Sequence, residues 1–151
     1  MKPWHFILLL SLFLLGCEDV NYRSSVPHVP VDYTLYITQE YPHFKPAHGY
    51  QAITITSTKY EREAIGYAGL LIWVGMDEAY HAADLCCPHC LNRKQPVKLD
   101  GIYAVCPTCD EHFDLSYGFA FPTKGKTKEP LRKYQINERS TAAGLALQII
   151  N

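Results

Sequence analysis

The chain has 151 residues, 48% of them hydrophobic and 19% charged, with a formal net charge of −1. That suits one globular domain of ordinary size. No basic block points to nucleic acid, and no acidic run points to a disordered tail.

The first segment reads as a targeting signal. "MKPWHFILLLSLFLLGC" opens with Lys2, runs apolar from Phe6 to Leu15 and reaches Gly16-Cys17. The run is too short for an ordinary transmembrane helix and has the length of a signal-peptide apolar region. Leu14-Leu15-Gly16-Cys17 resembles the lipobox of bacterial lipoproteins. The resemblance implies cleavage before Cys17, a lipid on Cys17, and a mature protein anchored to a membrane of the bacterial cell envelope. Residues 1–16 are then the signal peptide, and residues 17–30, polar and proline-containing, the lipidated cysteine and a tether. A domain over residues 31–151 follows.

From there the pattern is mostly of period two. "DYTLYIT" puts Tyr33, Leu35 and Ile37 on one face, and "QAITITST" puts Ile53 and Ile55 on one face. "YAGLLIWVG" is a continuous apolar run bounded by glycines and reads as a buried strand. "EAYHAAD", "QPVKL" and "IYAVC" predict further short strands, and Asp100-Gly101 predicts a hairpin between the last two. "LRKYQIN" and "LALQII" predict a closing hairpin bridged by "ERSTAAG". A helix over "STAAGLALQII" competes, because Ala and Leu favour helix, but Gly144 and the terminal Ile pair weigh against it. The expected fold is a small all-β domain of short antiparallel strands with two metal-ligand loops.

Those loops carry the cysteines. Beyond Cys17 the chain has Cys86, Cys87, Cys90, Cys106 and Cys109, an odd number that argues against a pure disulfide framework. Cys87 and Cys90 form one C-x-x-C, Cys106 and Cys109 a second, with a predicted hairpin between. Four thiolates brought together this way suit one Zn²⁺ or a single iron. Cys86 should point away from Cys87 in extended chain and reads as a buried free thiol. Paired cysteines in an oxidising compartment also allow disulfides and no metal at all.

The same stretch resembles the Rieske [2Fe–2S] family. Cys87-x-His89, an interval, then Cys106-x-x-Cys109 follow that family's ligand order, each first cysteine being followed by proline. Phe113, Asp114, Leu115, Gly118, Gly125, Pro130, Leu131 and Tyr134 match its downstream segment. The resemblance covers about residues 50–150. It implies a Rieske-like fold, electron transfer, and a [2Fe–2S] cluster with Cys87 and Cys106 on one iron and His89 and Cys109 on the other. Three features depart from the family. Cys109 stands where the second histidine is usual, Asp110 where glycine is common, and "TKGKTKEP" where an apolar, proline-rich loop shields the cluster. His112 reads as a surface histidine opening a strand. The "KGKTK" cluster at 124–128 reads as solvated charge, with an acidic redox partner as the alternative. No catalytic set of residues stands out, so the expected partners are the membrane and an unidentified redox or protein partner.

Overall fold

The computed structural model describes residues 24–151. The expected signal peptide (residues 1–16) and Cys17, the expected lipid attachment, lie outside them. Strands make up 41% of the described residues and helix 5%, and the paired strands run antiparallel, which is the expected all-β class. Among the described residues no helix is long and apolar enough to cross a membrane.

Among the described residues eleven strands form two sheets. In chain order they are β1 (Val31–Tyr36), β2 (Gln51–Ile55), β3 (Ala64–Ile65), β4 (Leu70–Val74), β5 (Tyr80–Asp84), β6 (Lys98–Asp100), β7 (Tyr103–Val105), β8 (His112–Asp114), β9 (Phe121–Lys124), β10 (Lys133–Thr141) and β11 (Gly144–Ile150). The large sheet has the order β2-β4-β5-β10-β11-β1-β3, and the small one β6-β7-β8-β9. Strand β10 turns the corner of the large sheet. Lys133 and Tyr134 pair with Ala83 and Ala82 of β5, and the strand then pairs with β11 from Gln135 to Thr141.

Strand β4 explains the continuous apolar run. Leu70, Ile72 and Val74 face a first core with Tyr33, Leu35, Ile37, Leu147 and Ile149. Leu71 and Trp73 face a second core with Leu85, Cys87, Cys106, Phe113, Leu115 and Leu131. Side chains alternate across a strand, so a strand covered on both faces must be apolar at every position. The second core lies between this wall and the small sheet, and it is what seats the two cysteine loops.

Several boundaries differ from expectation. Ile37 faces the core as predicted, but it opens a short helix, α1 (Ile37–Glu40), rather than continuing β1. The pairing of β6 begins at Lys98, after Pro96, which has no N–H for a ladder. The closing hairpin is longer than expected: Glu138–Thr141 belong to β10, leaving only Ala142 and Ala143 between Thr141 and Gly144. The competing helix is absent because β11 pairs on both edges, with β1 and β10. Strand β9 occupies sequence read as loop. Residues 24–30, the end of the expected tether, pack on the domain. Val26 is buried, Arg132 donates to the Val26 carbonyl at 2.8 Å, and Asn151 donates to the Val29 carbonyl at 2.6 Å.

Asp84 locks the end of β5 in place. Fully buried, it accepts hydrogen bonds from the N–H of Tyr67 (2.7 Å), Ala68 (3.1 Å) and Cys86 (2.7 Å), and from the Tyr134 hydroxyl (2.6 Å). Gly66 passes so close that a Cβ there would lie 2.3 Å from the Tyr134 hydroxyl oxygen and 2.7 Å from Asp84 Oδ2, and its φ is +79°. Asp84→Ala would leave several buried donors unpaired, at about 1–3 kcal/mol each. A loss of at least about 3 kcal/mol is expected in urea unfolding; a loss below about 1 kcal/mol would show that these bonds do not hold the loop.

Candidate metal centre

The first cysteine loop leaves β5 directly. Leu85 donates to Gly69 O at 3.0 Å, and Val97 donates back to Leu85 O at 2.9 Å. Residues 86–96 are thus an excursion closed at its base. Within it, Leu91 N–H donates to Cys87 O at 3.0 Å, and Leu91 has φ +51°. The second loop joins β7 to β8, whose pairing ends at Val105 and His112. Asp110 N–H donates to Cys106 O at 3.0 Å, and Asp110 has φ +56°.

The two loops are therefore built alike. Each places a residue in the left-handed region directly after its second cysteine, where glycine is the usual occupant.

Both loops aim their sulfurs at one point. Cys87 Sγ lies 3.6 Å from Cys109 Sγ, and Cys90 Sγ lies 3.5 Å from Cys106 Sγ. All four sulfurs lie within 4.8 Å of one another. Cys87 and Cys106 are buried, while Cys90 and Cys109 are partly exposed. These separations fit the donor set of one ion, because a tetrahedron with metal–sulfur bonds of about 2.3 Å has edges of about 3.8 Å.

The surrounding backbone favours thiolates. N–H groups of His89 and Cys90 serve Cys87, those of Thr108 and Cys109 serve Cys106, and that of Glu111 serves Cys109. Burial pushes the Cys87 thiol well above its ordinary value and that of Cys109 up to about 11. Burial also acts to raise Cys106, but hydrogen bonds from Thr108, Cys109 and Cys90 outweigh it and hold Cys106 below its ordinary value. The cluster on its own favours a thiolate at Cys106. A divalent cation supplies the charge that removes the other protons.

His89 is not part of the four-sulfur group, although a ring nitrogen lies within 4.8 Å of the Cys109 sulfur. Its side chain is 40% exposed, and it groups instead with Cys109 and Glu111, its Nδ1 lying 4.0 Å from Glu111 Oε1. His112 faces Asp110 at 3.0 Å and belongs to neither group. Cys86 is fully buried and free, with burial pushing its thiol to about 12, an inert core position.

Sequence reasoning missed Glu111. Its buried carboxylate accepts from Lys126 N–H at 2.5 Å and Thr127 N–H at 3.2 Å, clasping the 124–128 loop to the second cysteine loop. Gly125, at φ +119°, makes room: a Cβ there would lie 2.0 Å from Glu111 Oε2. The signal available was an acidic residue two positions after a C-x-x-C and a glycine among lysines, too little to join them across fourteen residues.

Fold and centre together define a small antiparallel all-β protein with a four-cysteine cluster suited to a metal ion. Compared with models of known protein families and with curated proteins, the chain matches none.

Proposed function

We propose that the protein is a lipid-anchored domain of the bacterial cell envelope that holds one metal ion, Zn²⁺ in preference to a single iron, through Cys87, Cys90, Cys106 and Cys109. The convergence of four sulfurs within 4.8 Å carries this reading. Four protein thiolates complete a tetrahedron and leave no open position for water or substrate, which is the pattern of structural zinc. The ion then serves to tie the small sheet together, and function lies in what the domain binds. The lipid on Cys17 supplies membrane affinity through buried CH₂ groups, with more than one chain for stable anchoring. Elemental and sulfide analysis of anaerobically purified protein tests the reading. One zinc per chain without acid-labile sulfide is the expected result; two irons with sulfide would overturn it.

A second reading follows the Rieske resemblance. In it the domain passes single electrons through a [2Fe–2S] cluster, with Cys87 and Cys106 on one iron and His89 and Cys109 on the other. The position of His89 beside Cys109 favours it. Against it stands the spacing. A two-iron cluster sets two metal atoms and two sulfides between its ligand pairs, and Cys87 and Cys109, 3.6 Å apart, would belong to different irons.

A further inference from the structure

Three of the seven large apolar side chains left exposed among the described residues fall within five positions: Tyr117, Phe119 and Phe121. Phe119 and Phe121 stack with ring centres 5.5 Å apart, and Lys133 Nζ lies 5.7 Å from the Phe119 ring centre. Both rings line a groove of about 750 Å³ whose opposite wall is Ser24–His28. An apolar patch of this kind on a small domain marks a surface with an occupant.

The N-terminal segment indicates which. It is pinned beside the aromatic rings, with Ser25 N–H on Glu129 Oε1 at 2.5 Å and Arg132 on the Val26 carbonyl. Ser24 follows Cys17 by only seven positions. Fully extended, that stretch spans at most about 25 Å. A lipid on Cys17 therefore holds this edge of the domain close to the bilayer. The chemistry of the face agrees. Phenylalanine rings bury at the boundary of headgroups and acyl chains with exposed Tyr117 at the headgroup level, and Arg132 and Lys133 on the groove, only partly offset by Glu129, complement anionic lipid.

Resting on the lipid-anchor reading, we propose that the Phe119–Phe121 face is seated on the surface of an anionic phospholipid bilayer. The anchor supplies the attachment and the aromatic face sets the orientation.

The test uses the full chain, purified from membranes and reconstituted into phosphatidylethanolamine–phosphatidylglycerol vesicles with brominated acyl chains. A tryptophan is introduced by Phe119→Trp, or by Phe121→Trp should the first variant fold poorly. Tyr60→Trp, at an equally exposed site outside the groove, is the reference. After subtraction of the emission of the parent chain, whose buried Trp73 is common to all variants, the tryptophan in the groove is expected to emit to the blue and to lose at least half its intensity to bromine, with the reference unquenched. The acyl mass on Cys17 is measured on the same sample, and Cys17→Ala should abolish both that mass and vesicle association. An acylated chain whose groove tryptophan emits as in water overturns the seating alone, and leaves the face to a protein partner. A chain without acyl mass overturns the anchor reading and the seating with it.

Discussion

If the four cysteines hold the proposed ion, stripping it with a strong chelator is expected to open the small sheet and both cysteine loops while the large sheet stays folded. Strands β6, β7, β8 and β9 are only three or four residues long. Two of the buried residues of the second core are the proposed ligands Cys87 and Cys106. Without the ion, Cys87 returns to a protonated thiol in that core, and the excursion after β5 is tied to the loop between β7 and β8 only by sulfur contacts, apolar packing and the 4.0 Å approach of His89 to Glu111. Structural zinc contributes on the order of 10–16 kcal/mol of binding free energy in zinc-finger peptides at neutral pH. That matches or exceeds the whole stability of a typical domain, about 5–15 kcal/mol. The first core is built from the large sheet and α1 and contains no ligand. Amide hydrogen exchange resolves the two parts. Protection in β7 and β8 should fall by at least about a hundredfold on chelation, with β1, β4 and β11 nearly unchanged. Equal protection with and without chelator would contradict a structural ion.

Substituting the neighbours His89 and Cys90 should give opposite results. Cys90 Sγ sits 3.5 Å from Cys106 Sγ inside the four-sulfur group, whereas His89 is 40% exposed and directed to Glu111. Cys90→Ala removes one of four ligands. Its metal affinity should fall by more than the roughly 10–100-fold that loss of an outer-shell partner costs. His89→Ala removes no ligand and should change affinity by less than about tenfold. Competition with a chromogenic chelator measures both. The reverse pattern, with His89 essential and Cys90 dispensable, would favour the two-iron cluster. The potential would then report on its ligands. Three thiolates should lower it below the Rieske range of about −150 to +300 mV, towards the roughly −400 mV of plant-type ferredoxins.

Much of the fold was legible in local pattern. The alternation in "DYTLY" and the apolar run "LLIWV" mark β1 and β4 because burial on one or two faces leaves a direct trace in residue choice. Asp100-Gly101 marks its hairpin because few residues adopt φ near the +57° of Gly101. Strand β9 left no such trace. Its burial is slight, and its pairing with β8 is broken by a bulge between His112 and Phe113. The length of β10 was hidden for the same reason, since Glu138–Thr141 are exposed and polar.

The site was legible as four spaced cysteines, but not as a geometry. Spacing left His89 and Cys90 as rival ligands, because adjacent residues in a tight loop are told apart only by the direction each side chain takes. That direction follows from the left-handed Leu91 and the Leu91–Cys87 hydrogen bond, which turn the loop so that Cys90 joins the cluster. Asp84 and Glu111, which hold the two loops from beneath, carry no motif at all. Their partners are mostly backbone N–H groups far off in sequence.

X-ray absorption at the metal edge of the purified protein tests the central claim most directly, because it counts the atoms around the ion. The account predicts a single shell of four sulfurs at about 2.3 Å and no second metal nearby. A shell mixing sulfur with nitrogen, together with a metal–metal distance, would contradict it.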